Sequence, residues 1–208
     1  MTGSAGVVYR PFTRTELAAN LSTGFRAPNL DDLGKVFESA PGVVVVPNPG
    51  LRPEYVYNAD LGLARDFGTI LHGEVTAFFS WLDNAMVRRE FLFDGKDSIL
   101  YQGEMSGVSA MVNAGYAVVY GIQAKAEIKP LPWLRLKSAI TISDGHDDLK
   151  EPLRHIPPVF GSAHLIFEKR ALRADLYTVF NSAKKYEDMA SSERDKAYMY
   201  ASDNNGNP

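Results

Sequence analysis

The sequence contains no cysteine, which excludes disulfides and thiolate metal sites; exported chains often avoid unpaired thiols, so the absence is compatible with export. It has no basic excess either: 22 Lys and Arg stand against 25 Asp and Glu, a net charge of −3. Nothing in that balance would draw a nucleic acid. No apolar run approaches the roughly 20 residues of a membrane-crossing helix, and Met1-Thr2-Gly3-Ser4-Ala5-Gly6 lacks the basic and apolar regions of a signal peptide. Neither absence bears on a membrane β-barrel, whose strands are short and alternating. Catalytic signatures are missing too: there is no G-x-S-x-G, no P-loop and no recognisable carboxylate pair. His72, His146, His155 and His164 are dispersed without zinc spacing. No catalytic residue, resident metal or cofactor is expected, and the residues that touch substrate are not legible.

What the chain does have is period-two alternation, repeated along most of its length. In residues 16–25, Leu17, Ala19, Leu21, Thr23 and Phe25 stand opposite Glu16, Ala18, Asn20, Ser22 and Gly24. In residues 55–64, Tyr55, Tyr57, Ala59, Leu61 and Leu63 oppose Val56, Asn58, Asp60, Gly62 and Ala64. In residues 71–82, Val75, Ala77, Phe79 and Trp81 oppose His72, Glu74, Thr76, Phe78 and Ser80. Similar stretches cover 120–128, 134–142, 162–168 and 172–180, and Val7-Val8-Tyr9 reads as the stub of an earlier strand. The sum is about eight strands and no long helix.

The connections alternate in length: short at 11–14, 65–70, 129–133 and 169–171, long at 27–52, 83–115, 144–157 and from 182 onward. Short turns at one end and large loops at the other predict an antiparallel up-and-down barrel of the outer-membrane type. Alternation alone leaves the faces undecided. Apolar faces turned inward would make a soluble, calycin-like barrel around a ligand; apolar faces turned outward would meet lipid. Tyr55, Tyr57, Trp81, Tyr120 and Trp133 near strand ends suit interface girdles. The opposite face carries Glu74, Lys125, Glu127, Arg135, Lys137, Arg173 and Asp175, each costing several kcal/mol if buried unpaired in a small core. In a wide, wet lumen they would stay solvated.

Two clusters sharpen the choice. Thr23-Gly24-Phe25-Arg26-Ala27-Pro28-Asn29-Leu30-Asp31-Asp32-Leu33 closes one strand, and Asn48-Pro49-Gly50-Leu51-Arg52-Pro53-Glu54, followed by Asn58 and Leu61-Gly62, opens the next. After them come Tyr101-Gln102, Val112-Asn113, Val119-Tyr120-Gly121-Ile122-Gln123, Pro152-Leu153, Ile156-Pro157-Pro158 and Val179-Phe180-Asn181. In this order the set resembles the β-barrel of TonB-dependent outer-membrane receptors, with Gln123 where the family's strand start usually has Glu. The resemblance runs from about Val7 to Ser182.

That resemblance implies an all-β, antiparallel up-and-down transmembrane β-barrel segment, taken from a barrel of about 22 strands with a plugged lumen. It implies the outer membrane of a Gram-negative cell, with long loops extracellular and short turns periplasmic. The implied role is TonB-dependent active transport of a scarce ligand such as a siderophore, cobalamin or a glycan, and not an enzyme activity. Residues 1–208 then read as one partial barrel domain, without the plug, the TonB-box peptide and the final strands. Partnership with the TonB complex would run through a plug region outside this chain; the other partners would be outer-membrane lipid and the small-molecule or glycan ligand. The alternative is a soluble ligand-binding β-barrel with its apolar faces inward.

Individual residues carry more modest expectations. Arg26 and Pro28 should end a strand and aim the following loop, since Pro28 fixes its own φ and restricts Ala27. Asp144-Gly145-His146-Asp147-Asp148 with Glu151 offers oxygens enough for calcium but lacks EF-hand spacing, so a solvated acidic loop is expected. Arg88-Arg89, Glu90 and the turn Asp94-Gly95 read as an exposed, solvated hairpin. His72 and His164 should line the lumen. Tyr101, Tyr116 and Tyr120 suit interface or packing roles better than ligand stacking.

Overall fold

The computed structural model describes residues 2–190; Asp203 to Pro208, expected to form an external loop, lie outside them. In chain order the strands are β1 (Gly3–Phe12), β2 (Thr15–Arg26), β3 (Phe37–Ala40), β4 (Val43–Val45), β5 (Glu54–Phe67), β6 (Leu71–Asp83) and β7 (Met86–Glu90). They continue as β8 (Ser98–Tyr101), β9 (Glu104–Asn113), β10 (Tyr116–Leu131), β11 (Leu134–Asp147), β12 (Val159–Lys169) and β13 (Leu172–Asn181). One five-residue helix, α1 (Leu30–Gly34), lies between β2 and β3.

Eight strands form a single antiparallel sheet in the order β1-β2-β5-β6-β10-β11-β12-β13. Every neighbour is the next long strand in sequence, the up-and-down pattern that the alternating connection lengths required. The supposed stub at Val7-Val8-Tyr9 is a correction: β1 is a full ten-residue strand. Its pattern is weak because the glycines at Gly3 and Gly6 interrupt it and Pro11 lies inside it; proline is tolerated in a strand that has a partner on one side only.

The polar face is the occluded one. On β5 the outward residues Tyr57, Leu61 and Leu63 are exposed, Leu61 by 65%, while Asn58, Asp60 and Gly62 between them are half-buried. On β6 Val75, Ala77, Phe79 and Trp81 are exposed and Thr76, Phe78 and Ser80 are half-buried. Apolar side chains therefore cover the outside of the curved sheet, a patch far larger than a soluble monomer exposes. The alternative of a soluble barrel with inward apolar faces fails on this observation. The ten-residue rise from Tyr57 to Phe67 on the outer face of β5, at ~3.3 Å per residue and a tilt of ~40°, covers a height of ~25 Å. That is the height of an outer-membrane apolar band. Aromatics mark both limits: Phe25 lies 6.3 Å from Tyr55 and Trp81 stacks on Tyr116 at 4.5 Å near the long loops, and Trp133 meets Phe167 at 5.3 Å near the short turns.

On the inner face the charges are not simply solvated. They pair across strands near the short turns: Arg10 with Glu16 at 2.7 Å, Lys125 with Glu74 at 3.5 Å, Lys137 with Glu127 at 3.0 Å, and Arg135 and Arg173 with Glu168 at 2.5 and 3.4 Å. His72 sits between Asp66 and Glu74 at 2.7 and 3.0 Å, and His164 reaches Asp175 at 3.2 Å, so both face inward as expected. Side chains opposite one another in adjacent strands are near enough for such pairs to form wherever the signs match.

The two longest loops hold structure that alternation did not reveal. They build a second sheet, β3-β4-β9-β7, with β8 also paired to β9. Strand β4 runs parallel to β9, so residues from loop 27–53 and loop 84–115 share one ladder. Its core is Val44, Val46, Val108 and Ala110, with Phe91, Phe93, Ile99 and Tyr101 packed against them. Among the described residues the largest fully buried side chains, Val44 and Val46, belong to this core of the loop sheet, because the wall strands turn their large apolar residues outward.

Candidate functional site: the junction of the long loops

The two clusters that closed β2 and opened β5 meet. Asn29 caps α1: its Oδ1 accepts from the Asp32 amide at 2.8 Å, and the Asp32 carboxylate accepts from the Asn29 amide at 3.2 Å. Such a reciprocal cap contributes ~1 kcal/mol and lets a five-residue helix exist. The same carboxylate faces the Arg26 guanidinium at 3.7 Å, so Arg26, the last residue of β2, has the structural role expected of it. The Asp32 carbonyl then accepts from the Asn48 amide at 3.1 Å, fastening the first cluster to the second.

The second cluster binds the neighbouring loop. Asn48 accepts from the Gly50 amide at 3.0 Å and donates to the Met111 carbonyl at 2.9 Å. Glu54, buried at the start of β5, accepts from the Met86 amide at 2.8 Å. Asn113 clamps the chain at Arg52, accepting from its amide at 2.8 Å and donating to its carbonyl at 3.0 Å, and it also donates to the Asn84 carbonyl at 2.7 Å. A carboxamide can accept one hydrogen bond and donate two, as Asn113 does here, which neither a hydroxyl nor a carboxylate can do. Asn113→Asp is therefore expected to lose both donated bonds and set a carboxylate against two carbonyls, costing about 2 kcal/mol. Hydrogen exchange should record this as faster exchange in residues 43–53 and 84–90, with the wall strands unchanged.

A third loop joins through Arg89. Its guanidinium lies 2.7 Å from the Asp147 carboxylate and 2.5 Å from that of Asp148. The other oxygen of Asp148 accepts from the Gly115 amide at 2.8 Å. The other oxygen of Asp147 accepts from the amides of Leu149 and Glu151 at 2.9 and 3.0 Å. Burial works against the charge on Arg89, and its bonds to Asp147 and Asp148 more than offset it, so its pKa lies above the ordinary value. The Gly115 amide, and after it the Arg89 guanidinium, hold the Asp148 carboxyl below the usual carboxylate range. A depressed carboxyl stabilises the fold above its unfolded pKa and loses that contribution as the pH falls through its folded pKa. The loop junction should thus keep full protease resistance at neutral pH and lose it in acid. Asp148→Asn should give a flatter acid profile.

These contacts correct two expectations. Arg89 is not part of a solvated loop face; it is the cation of an ion pair that joins two loops, while Arg88 lies 6.0 Å from the Phe37 ring centroid. The run from Asp144 to Asp148 is not a solvated acidic loop, since Asp147 is only 4% exposed and its oxygens are engaged. The turn at Asp94-Gly95 is as expected: both residues have positive φ and the Phe93–Lys96 bridge closes it. Tyr116 stacks on Trp81, Tyr120 donates to Asp144 at 3.1 Å, and Tyr101 packs into the core of the loop sheet. Among the described residues no group of acids and histidines is arranged to hold a metal. Asn48, Glu54 and Asn113 stand within the sequence motifs, but the motifs alone do not disclose that these three hold the loops together. Their signal was position: polar side chains just where strands leave the apolar band. In the β8–β9 ladder of the junction's sheet Leu100 and Met105 stand opposite each other, 70% and 66% exposed.

Comparison with known proteins agrees with this architecture. The family model for the TonB dependent receptor-like β-barrel matches residues 1–207. A curated relative, the probable hemoglobin and hemoglobin-haptoglobin-binding protein 4 of Haemophilus influenzae, is 25% identical over 203 residues, covering 89% of this chain and 19% of the relative. The solved siderophore receptor PirA from Acinetobacter baumannii superposes with a TM-score of 0.66 at 14% identity, over 87% of this chain and 28% of that one. The copper transporter OprC gives a TM-score of 0.65 at 16% identity, over 87% and 26%. A ferric enterobactin receptor from Pseudomonas aeruginosa gives 0.67 at 16%, over 87% and 28%. The chain thus spans about a fifth of the curated relative and about a quarter of the solved structures. An apolar-out wall, a polar lumen face and a family match along nearly its whole length agree: the chain belongs to the TonB-dependent receptor β-barrel family.

Proposed function

We propose that this chain forms part of the barrel wall of an outer-membrane, TonB-dependent transporter, with its long loops extracellular and its short turns periplasmic. The observation that carries the reading is the apolar outer face, ~25 Å tall, on a sheet whose polar face carries paired charges. Residues 1–208 serve as one segment of a larger barrel domain. The TonB complex acts through a plug region that this segment does not supply. The loop junction forms part of the surface that receives ligand. The ligand is metal-bearing, a reading supported by the relatives, whose names refer to hemoglobin, a siderophore, ferric enterobactin and copper.

Uptake by cells tests this. The receptor carrying this chain is produced in a Gram-negative host lacking its own iron receptors, with and without a working TonB system. Ferric siderophores, haem and copper are offered in turn. TonB-dependent accumulation of one of them supports the reading. Accumulation of none, or a protein that fractionates with the soluble periplasm, sinks it.

A further inference from the structure

We propose that the short-turn rim of the wall is a binding site for the phosphate headgroups of anionic phospholipids. The charges near this rim divide into two populations. On the inner face Glu16, Glu127 and Glu168 are each held by a cation from the same face, so that belt neutralises itself. On the turns and outer face stand Arg14, Arg65, Lys169 and Arg170, all exposed.

The cations form two pairs. Asp66 donates its amide to the Arg14 carbonyl at 2.9 Å, and Arg65 lies opposite Thr15 in the β2–β5 ladder, which puts Arg14 and Arg65 on neighbouring strand ends. Lys169 and Arg170 are consecutive in the β12–β13 turn. Arg65 belongs to the lipid face: it follows Leu61 and Leu63 in the same outward row, and its guanidinium lies 5.3 Å from the Phe67 ring centroid. The Lys169 turn adjoins Trp133, whose carbonyl accepts from the Glu168 amide at 2.8 Å and whose ring meets Phe167. A cation on a lipid-facing surface must reach an anion or water, and long side chains near an interface do so by extending toward the headgroups. Here the carboxylates at this level are turned to the other face. At the long-loop limit the outer row carries Asp83 and Asp144 instead, so the cationic rim belongs to one leaflet.

This inference rests on the membrane reading above, and one experiment separates the two. The receptor carrying this chain is reconstituted into nanodiscs of phosphatidylcholine mixed with phosphatidylglycerol, and retained lipid is counted by mass spectrometry. Enrichment of phosphatidylglycerol is expected, falling at least about fivefold in Arg14→Gln/Arg65→Gln/Lys169→Gln/Arg170→Gln. The control Lys35→Gln/Lys96→Gln, in the external loops, should keep the enrichment. Added salt should weaken it. Equal enrichment in the wild type and the fourfold variant overturns the proposal, as does displacement by inorganic phosphate without lipid selectivity. Folding is checked by the heat-dependent gel shift of a closed barrel. Should the fourfold variant fail that check, Arg14→Gln/Arg65→Gln and Lys169→Gln/Arg170→Gln are compared separately, each expected to lose part of the enrichment. A protein that inserts without lipid preference fails this proposal alone; one that does not enter the nanodisc fails the membrane reading with it.

Discussion

Replacing Gly121 by alanine is expected to cost at least ~3 kcal/mol and to leave most of the receptor unfolded after refolding into detergent. Gly121 lies on the inner face of β10, between β6 and β11. A methyl group there would overlap the Ile142 carbonyl oxygen and come within 2.6 Å of the Phe78 ring. The ring lies across the strand opposite the glycine, since Gly121 pairs with Phe78 in the ladder. An aromatic covering a glycine in this way fills the gap the missing side chain leaves. The added methyl therefore meets two obstacles of different kinds. Phe78 could rotate aside, whereas the Ile142 carbonyl belongs to the backbone of the β10–β11 ladder and could move only by breaking it. This difference makes the cause testable. Gly121→Ala combined with Phe78→Ala should recover only a minor part of the loss, and Gly3→Ala, with open space around its added carbon, should change nothing. The heat-dependent gel shift of the folded barrel measures all three. Full rescue by Phe78→Ala would show the ring, and not the backbone, to be the constraint.

The same position shows what the sequence could disclose. Val119-Tyr120-Gly121-Ile122-Gln123 was legible as a strand start of a known kind, with Tyr120 and Ile122 outward and Gly121 and Gln123 inward. Why glycine stands there was not, because the reason is a carbonyl and a ring on two neighbouring strands. The wall as a whole was legible for a physical reason: each strand has one lipid face and one lumen face, so period two is written into its residues. Strands β3, β4, β7, β8 and β9 were missed because they serve an ordinary small core. Val43-Val44-Val45-Val46 is a continuous apolar run that periodicity cannot assign, and β3 has only four residues. The loop junction was half-legible. Asn48, Glu54 and Asn113 stand in recognisable motifs, but Arg89 and Asp147, 58 positions apart, carry no sign in the sequence that they meet.

That pairing sets the other large effect. Arg89→Ala is expected to cost about 2 kcal/mol and to release the loop of residues 148–158 from the loop sheet. The size follows from how differently the partners are buried. The Arg89 side chain retains 29% of its exposure, so solvent screens part of the interaction, whereas the Asp147 side chain retains only 6%. Removing the arginine leaves that buried carboxylate facing a vacated space, with the Leu149 and Glu151 amides bound to one oxygen only. An unpaired buried charge accounts for most of such a loss, more than the attraction forgone. A second substitution separates the two contributions. Asp147→Asn removes the charge while its side-chain oxygen can still accept from Leu149 and Glu151, so Arg89→Met with Asp147→Asn should regain most of the stability that Arg89→Ala loses. Asp148→Asn in place of Asp147→Asn should regain less, because Asp148 is more exposed and already holds the Gly115 amide. Hydrogen exchange at Gly115, Leu149 and Glu151 resolves the two cases. Protection restored by the Asp147 pair and not by the Asp148 pair is the expected pattern. The reverse would place the energetic centre of the junction at Asp148 and its bond to the Gly115 amide.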